Sequence, residues 1–332
     1  CGRCFQIPGF VHPSLMPLDF IEREIEDLPP LNQEEASLVD MHSLLNVLNI
    51  LHGELTLIGL TLARDSDALR GALGVCSQWL ADLRDPERLR RAADMFPSLR
   101  SRVMNDVARL MAQHPDKEND LELLESRANL DSVFLVLDLR MRELLARWRK
   151  PDEWVPMSLA QLRLNLLQVF AAIGKNSKGR YRIIYNLAMQ APSDYYVQLD
   201  FDSTEGDSAT MPPVLHDVIR DLIANARKYT KPGGAITAGF YASQDELKLV
   251  VQDTGRGIPE NELTEVVKFG RRGSNVGDVR TMGAGFGLTK AYYVTKQFGG
   301  RMWIASRLGV GTRITLIIPR PPLDYCPKDM FL

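Results

Sequence analysis

The chain has 332 residues, of which 45% are hydrophobic and 25% are charged, and its formal net charge is −2. This composition is ordinary for a globular protein, and the length suits two domains of ordinary size. A nearly balanced charge gives no electrostatic case for binding to nucleic acid or an anionic membrane. We therefore expect no nucleic-acid partner.

Two features bear on the cellular location. The most apolar stretch, Leu44 to Ala63, is interrupted by polar residues such as Asn46 and Glu54, for which hydrocarbon is a poor environment. The 4 cysteines are too few and too scattered for a disulfide framework. We expect a cytoplasmic location without a transmembrane segment. Because the chain begins with Cys1, we expect any membrane attachment to lie in a missing upstream region.

The N-terminal segment, residues 1–33, contains five prolines. Proline punctuates regular structure, so we predict an irregular linker around one short amphipathic piece, Leu18 to Leu28. We interpret this segment as the remnant of an upstream region.

Residues 34–150 are predicted to be helical. From Leu38 to Leu62 apolar side chains recur with 3,4 spacing, which is typical of a long helix packed in a bundle. Glu87 to His114 and Asn119 to Arg149 are predicted to be further helices. Pro97 either kinks the first of these or opens a new segment.

From residue 151 the pattern changes to a mixture of helices and alternating strands, which predicts helices on one face of a sheet. Helices are predicted at Ser158 to Ile173 and Pro213 to Tyr229. Strands are predicted at Arg180 to Met189, Tyr196 to Phe201, Ala235 to Tyr241, Leu247 to Asp253, Arg301 to Ser306 and Thr312 to Ile318. We place the second domain at residues 151–320 and a C-terminal tail at 321–332.

Two segments of this domain present polar groups suited to a nucleotide. Asp221 and Asn225 lie one turn apart late on a predicted helix, where their shared face can offer oxygen atoms to a hard cation. Asp253 ends a buried strand. Gly255 and Gly257 follow it in a turn, where glycine lets the backbone approach a ligand closely.

Glycines also shape two later segments. Gly283, Gly285 and Gly287, followed by Leu288, open a helix whose free N–H groups suit phosphate oxygens. Residues 309–312 then lead into the last strand. One glycine run alone is weak support for a ligand site, but the whole ordered set is specific.

In this order the segments resemble the N, G1, G2 and final glycine boxes of the GHKL ATPase superfamily, in particular the catalytic domain of histidine kinases. The resemblance covers about residues 155–320 and implies binding of ATP and Mg²⁺. It implies that Asn225 ligates Mg²⁺ and that Asp253 accepts the adenine amino group. Gly255 and Gly257 would shape the nucleotide wall. The expected fold class is α+β, a helical dimerisation bundle followed by a two-layer α/β sandwich of the GHKL ATPase type.

The resemblance also implies further nucleotide contacts. Lys228 would reach the phosphates and Tyr229 would flank the base, the alternatives being an exposed lysine and a packed tyrosine. Residues 260–282 would form a mobile lid, in which Arg271 or Arg272 contacts a phosphate unless the loop is simply solvated. The remaining contacts would come from Gly283, Gly285, Gly287, Leu288 and Thr312.

Two positions of this domain depart from the common pattern. Phe286 replaces the leucine more usual in the G2 box, and we expect it to alter the packing of the lid. Asp221 occupies the place where ATP-hydrolysing relatives carry a glutamate that activates water. Its alternatives are a carboxylate near Mg²⁺ or plain helix surface.

The helical region contains a segment that resembles the H box of the histidine kinase dimerisation domain. The family pattern has His, an acid at +1, Thr or Asn at +4, often Pro at +5, Leu at +6 and Gly at +11. The chain matches it at His42, Asn46, Leu48 and Gly53. The resemblance implies that His42 accepts the γ-phosphoryl group and that Asn46 positions water for dephosphorylating a partner regulator.

The H box also has two departures. Ser43 replaces the acid that orients the imidazole, and Val47 replaces the proline that kinks the helix. These changes favour either a core biased toward phosphatase activity or a base supplied by Asp40 or Glu54. His52 falls on the apolar seam and is expected to be packed.

The expected function is that of a two-component sensor histidine kinase core. It would autophosphorylate on His42 and transfer phosphoryl to, or remove it from, an aspartate of a response-regulator receiver domain. We expect a homodimer through the helical region. One alternative is a GHKL serine protein kinase, because the helical region is longer than a two-helix hairpin needs. Another is a nucleotide-binding pseudokinase or scaffold, which Ser43 favours.

Overall fold

The computed structural model describes residues 20–82, 85–117, 120–149, 152–176, 179–278 and 285–321. They form two compact units. The helical unit comprises Leu31–Asp152. The sheet unit comprises the segment before it, up to Pro30, together with the described residues from Glu153 onward. The alternation of strands and helices in the sheet unit confirms the expected α+β class.

The helical unit contains five α-helices in its described residues: α1 Gln33–Ala63, α2 Arg70–Asp82, α3 Pro86–Asp94, α4 Phe96–Ala112 and α5 Leu121–Arg149. Asn32 caps α1 in a capping box with Glu35, which satisfies two otherwise unpaired N–H groups. Trp79 stacks on Phe96 with ring centroids 5.7 Å apart, and Phe96 meets Phe134 edge-on at 6.1 Å. These rings join α2, α4 and α5 in one core.

The helical unit differs from the sequence prediction in one respect, because α2 was not predicted as a separate helix. Of the two alternatives for Pro97, the second is confirmed: Pro97 lies in the first turn of a new helix, α4, where its missing N–H costs nothing. Among the described residues α1 is the one helix long and apolar enough to cross a membrane. Its buried face packs into the core of this unit, and a core helix passes the same test of length and composition.

The sheet unit is built around a seven-stranded sheet in the order β1-β8-β9-β7-β6-β4-β3, with a small separate sheet of β2 and β5. Among the described strands, the β3–β4 and β4–β6 pairs are the parallel ones. The strands are β1 Ile21–Glu24, β2 Val155–Ser158, β3 Ile183–Ile184, β4 Tyr195–Ser203, β5 Ser208–Met211, β6 Ala235–Ala242, β7 Glu246–Asp253, β8 Arg301–Arg307 and β9 Gly311–Pro319. The helices are α6 Leu159–Asn176, α7 Val214–Tyr229 and α8 Phe286–Gln297.

The predicted strand at Arg180 to Met189 is wrong for most of its length. Only Ile183–Ile184 pairs with β4, and a 3-10 turn follows at Leu187–Met189. Leu187 and Met189 are exposed, so their apolar character does not report burial. The β2–β5 pair was not predicted, because four-residue strands carry little periodicity.

The interpretation of residues 1–33 as a linker is also wrong for the described part of that segment. Ile21–Glu24 forms β1, which pairs antiparallel with β8 at the edge of the sheet. Ile25 is fully buried in the core of the sheet unit. The backbone N–H of Leu28 donates to the Tyr292 hydroxyl at 2.8 Å, and Lys296 pairs with Asp27 at 3.0 Å. Residues 20–30 therefore belong structurally to a domain that otherwise begins about 120 residues later.

This placement predicts that Ile25→Ala destabilises the sheet unit although it precedes the helical unit in the chain. Truncating a buried isoleucine to alanine costs about 2–5 kcal/mol, whereas Ile21→Ala, at a 42% exposed position of the same segment, should cost less than about 0.5 kcal/mol. Urea unfolding monitored by tryptophan fluorescence measures both. Equal small effects for the two variants would show that residues 20–30 are not part of this core.

Candidate functional site

Asp253 is placed by the alternation of β7. Leu247, Leu249 and Val251 point into the core, so the side chain two residues on, Asp253, points to the same face at the strand end. Its Oδ1 accepts a hydrogen bond from the backbone N–H of Gly255 at 2.7 Å. Burial raises the pKa of the Asp253 carboxyl to about 7, although two backbone N–H groups partly oppose this shift.

The turn after Asp253 depends on glycine. Gly257 has φ +67°, and a Cβ there would lie 2.0 Å from the carbonyl oxygen of Arg307. The Gly309 N–H donates to the Arg256 carbonyl at 2.7 Å, and the Arg256 N–H donates to the Tyr229 carbonyl at 3.2 Å. The turn is therefore clamped between the end of α7 and the β8–β9 turn, and this arrangement leaves no room for a side chain at Gly257.

The predicted residues Asn225 and Gly287 meet where α7 and α8 face each other. A Cβ on Gly287 would lie 2.6 Å from Asn225 Nδ2, so the absence of a side chain lets the amide lie against the first turn of α8. Gly285 takes the N-cap position of α8 with φ +83° and no side-chain cap. The N–H groups of this helix start can therefore serve an anionic ligand. Gly283 lies outside the described residues.

Four other predicted residues lie around the same end of the sheet. Thr312 is buried and pairs with Asp253 across β7 and β9. Leu288 packs against the core of the sheet unit. The Lys228 ammonium lies over the Tyr229 ring, 5.0 Å from its centroid, and both side chains are half-buried. The lysine is therefore not the plain exposed residue of the alternative interpretation.

An open cavity of about 670 Å³ lies beside the turn that follows Asp253. Its walls come from Lys231–Gly234, Thr254–Arg256, the β8–β9 turn at Leu308 and Gly309, and Asn275 and Asp278 of the predicted lid segment. A volume in this range suits a small-molecule ligand.

The segment predicted as a mobile lid is anchored over its first part. Leu263, Val266 and Val267 are buried in the core of the sheet unit, which is inconsistent with free movement of these residues. Phe269 stacks on Phe286 with centroids 4.7 Å apart, so the unusual phenylalanine of the G2 box contacts the lid segment.

The second part of the lid segment is held by polar contacts. Arg256 forms a two-pronged ion pair with Asp278 and also donates to the Asn275 carbonyl at 3.0 Å. Of the two arginines predicted to contact phosphate, Arg271 is exposed and Arg272 donates to the Val276 carbonyl at 3.1 Å.

His42 and Asn46 lie together on α1 of the helical unit. Asn46 Nδ2 is 3.2 Å from His42 Nε2. Because an amide nitrogen only donates, Nε2 is the acceptor and the ring proton of a neutral imidazole is on Nδ1. The prediction for His52 is wrong: this side chain is exposed, because the buried face of α1 passes through Leu51 and Leu55.

Sequence reasoning missed a buried cation at this site. Lys290 on α8 is 1% exposed, and its Nζ is 3.0 Å from Asp217 Oδ2 and 3.7 Å from Asp221 Oδ2, both on α7. Arg220 pairs with Asp217 as well. The sequence offered one indication of this burial, because Lys290 lies in the middle of a helix that carries an apolar stripe.

Residues 211–322 match the family described as histidine kinase-, DNA gyrase B-, and HSP90-like ATPase. The chain is 36% identical over 118 residues to the adaptive-response sensory kinase SasA of Synechococcus elongatus, which is 34% of this chain and 30% of the relative. It is 35% identical over 107 residues to the histidine protein kinase DivJ of Caulobacter vibrioides, covering 32% and 17% of the two chains. A solved catalytic domain of histidine kinase ThkA aligns with 50% of this chain and 95% of its own length, at 18% identity and a TM-score of 0.37. The matches to SasA and DivJ therefore span less than a third of the length of these two curated relatives.

The raised pKa of Asp253 predicts how the stability of the ligand-free protein depends on pH. Between about pH 4 and pH 7 the unfolded state has lost this proton while the folded state keeps it, so the free energy of unfolding falls as pH rises through this window. Asp253→Asn removes the effect. The free energy of unfolding of the variant, measured by urea unfolding relative to that of wild type, should therefore increase by a few kcal/mol as the pH is raised from 5 to 8.

The matched control is Asp245→Asn, at an exposed position of the β6–β7 turn. Its difference from wild type should stay constant over the same range. A constant difference for Asp253→Asn as well would contradict the raised pKa.

Proposed function

We propose that this chain, whose residues 211–322 form a domain of the histidine kinase-, DNA gyrase B-, and HSP90-like ATPase family, is the core of a sensor histidine kinase. The observation that carries the proposal is the buried carboxyl of Asp253 beside a glycine turn. It lies in the same domain as the uncapped start of α8, which is the part of the fold suited to phosphate.

We assign the nucleotide contacts by the chemistry that each group offers. The Asp253 carboxylate would accept a hydrogen bond from the adenine amino group, and the glycine turn would let the base lie against backbone. The N–H groups at the start of α8 would bind phosphate oxygens. Lys228 would add a positive charge near them, while Tyr229, under its ammonium, would flank the base.

The residues present fit a magnesium ion shared with phosphates. Mg²⁺ prefers oxygen ligands and usually binds through one or two protein groups plus phosphates and water. Asn225 offers a carbonyl oxygen, and its amide is set against the start of α8 by Gly287. Bound there, the ion would neutralise charge on the transferring phosphoryl group.

We assign the nucleophile to His42 Nε2, which holds the lone pair of the neutral ring. Attack on the γ-phosphorus forms an N–P bond and breaks the bond to the β,γ-bridging oxygen, which leaves with ADP. The Nδ1 proton stays on the ring. Because Asn46 donates to Nε2 at 3.2 Å, that hydrogen bond must break before attack, and the amide is then free to contact the transferred phosphoryl oxygens.

The contact from Asn46 supports a role for it in the absence of an acid at Ser43. It selects the tautomer with a lone pair on Nε2, which is one part of what a neighbouring acid would do. We propose an aspartate of a response-regulator receiver domain as the acceptor of the phosphoryl group, with Asn46 positioned to serve its dephosphorylation as well.

We propose a homodimer through the helical unit. Ile50, Leu57 and Leu60 on α1 are 39%, 48% and 46% exposed, and Leu121 and Leu135 on α5 are 76% and 71% exposed. Apolar side chains exposed at helical spacing are typical of a helix–helix interface.

A GHKL serine protein kinase is the second candidate, and one observation favours it. The helical unit has five helices in its described residues, which is more than a dimerisation hairpin requires. A nucleotide-binding pseudokinase rests on Ser43 alone.

Substitution of the proposed acceptor tests the main proposal. His42→Gln should reduce acid-labile, alkali-stable phosphoryl label from γ-labelled ATP at least about 100-fold, because glutamine offers no nucleophilic nitrogen. His52→Gln, at the exposed histidine ten residues further along the same helix, should retain the label. Acid-labile label that survives His42→Gln would exclude His42, and acid-stable label would favour the serine kinase.

A further inference from the structure

The described core of the sheet unit contains one lysine that is almost fully buried. Lys290 is 1% exposed and lies between two carboxylates of α7, Asp217 at 3.0 Å and Asp221 at 3.7 Å. Asp217 is 3% exposed and also pairs with Arg220. Among the described residues, Lys290, Arg220, Asp217 and Asp221 thus form one network of ion pairs, which we call the α7–α8 ion cluster.

A contribution to the free energy of folding is a poor explanation for the presence of such a buried ion cluster. Removing a lysine and two carboxylates from water is costly, and well-packed apolar side chains of similar volume are often at least as stabilising. A buried ion pair does, however, impose geometry, because each charge must meet its partner or remain unpaired at high cost. The cluster therefore specifies how α8 lies against α7 more strongly than an apolar contact would.

The same two helices carry the proposed nucleotide contacts, one turn away from the cluster. Gly287 precedes Lys290 by one turn on α8 and lies against Asn225. Asp221 precedes Asn225 by one turn on α7. A shift of α8 along α7 that broke the Lys290 pairs would therefore also separate Gly287 from Asn225.

The Asp221 carboxylate is under-satisfied within this cluster. Its Oδ2 is buried and has no hydrogen-bond partner, and Lys290 is the cation within ion-pair distance of it among the described residues. Its side chain is 15% exposed. Lys290 thus holds this carboxylate toward α8, one turn from the amide of Asn225.

We propose that Lys290 is a positioning residue for the metal-dependent part of nucleotide binding. Its ammonium, shared between Asp217 and Asp221, sets the alignment in which Asn225 meets the start of α8, so that the amide oxygen and the helix N–H groups can serve one Mg²⁺–phosphate unit. This inference rests on the proposed function and adds a residue to it. Asp253 and its turn lie outside the cluster, so binding of the adenine end does not depend on Lys290.

The test separates these two parts of binding by calorimetry. The affinity for ADP is measured in EDTA and again with excess Mg²⁺, for wild type and for Lys290→Met, with the melting temperature measured alongside. In EDTA, we expect Lys290→Met to bind ADP with an affinity within about twofold of wild type. The factor by which Mg²⁺ increases the ADP affinity should be at least about tenfold smaller in the variant than in wild type, which corresponds to about 1.4 kcal/mol.

Val294→Ala is the matched control for loss of packing alone. Val294 is 6% exposed, one turn further along α8, and its apolar side chain takes no part in the ion cluster. It should lower the melting temperature and leave the Mg²⁺-dependent gain unchanged. Should Lys290→Met fail to fold, Lys290→Gln, which keeps an N–H donor for Asp217, is measured in its place with the same expectation.

The possible failures are distinguishable. A full Mg²⁺-dependent gain in the Lys290 variant would overturn the positioning role while leaving the proposed function intact. An equal loss of that gain in Val294→Ala would also overturn it, because general loosening of α8 would then suffice. Absence of ADP binding by folded wild-type protein would overturn the proposed function and this inference together.

Discussion

The burial of one carboxyl group at the end of β7 is the constraint on which the site depends. The side chain of Asp253 points into the core face because the strand alternates, and burial raises its pKa to about 7. Burying a carboxyl group is costly, so the Asp253 side chain needs hydrogen-bond donors close to it. The N–H of Gly255 supplies one, and the turn needed to bring it round is tight enough to require glycine.

The second half of the candidate site depends on how closely α7 and α8 approach each other. Gly287 removes a side chain where α8 meets Asn225, and the ion cluster around Lys290 holds the same pair of helices one turn further along. The missing side chain of Gly287 and the buried charges around Lys290 therefore both affect how α8 lies against α7. The glycine makes the close contact possible, and the buried charges make displacement of α8 from this position unfavourable.

The N-terminal segment shows that chain order and domain membership differ in this protein. Residues 20–30 add an edge strand to the sheet, bury Ile25 and hydrogen-bond to α8, and α1 of the helical unit then begins at Gln33. Strand addition covers an edge that would otherwise expose unpaired backbone groups. The proposed phosphoacceptor helix is thus preceded directly by a segment of the sheet unit.

Local patterns along the chain were enough to predict several elements of the fold. Alternation located β6 and β7, helical spacing located α1, α5 and α7, and the order of the glycine segments indicated the family that residues 211–322 match. These signals are local, because side-chain period and glycine turns are read within a few residues. Other features depend on packing between distant parts of the chain. The strand role of Ile21–Glu24, the exposure of His52 and the burial of Lys290 each depend on a partner distant in the chain or on the exact helix rotation. A short strand or a single charged residue carries no sign of such a partner, because burial depends on what the fold packs against it.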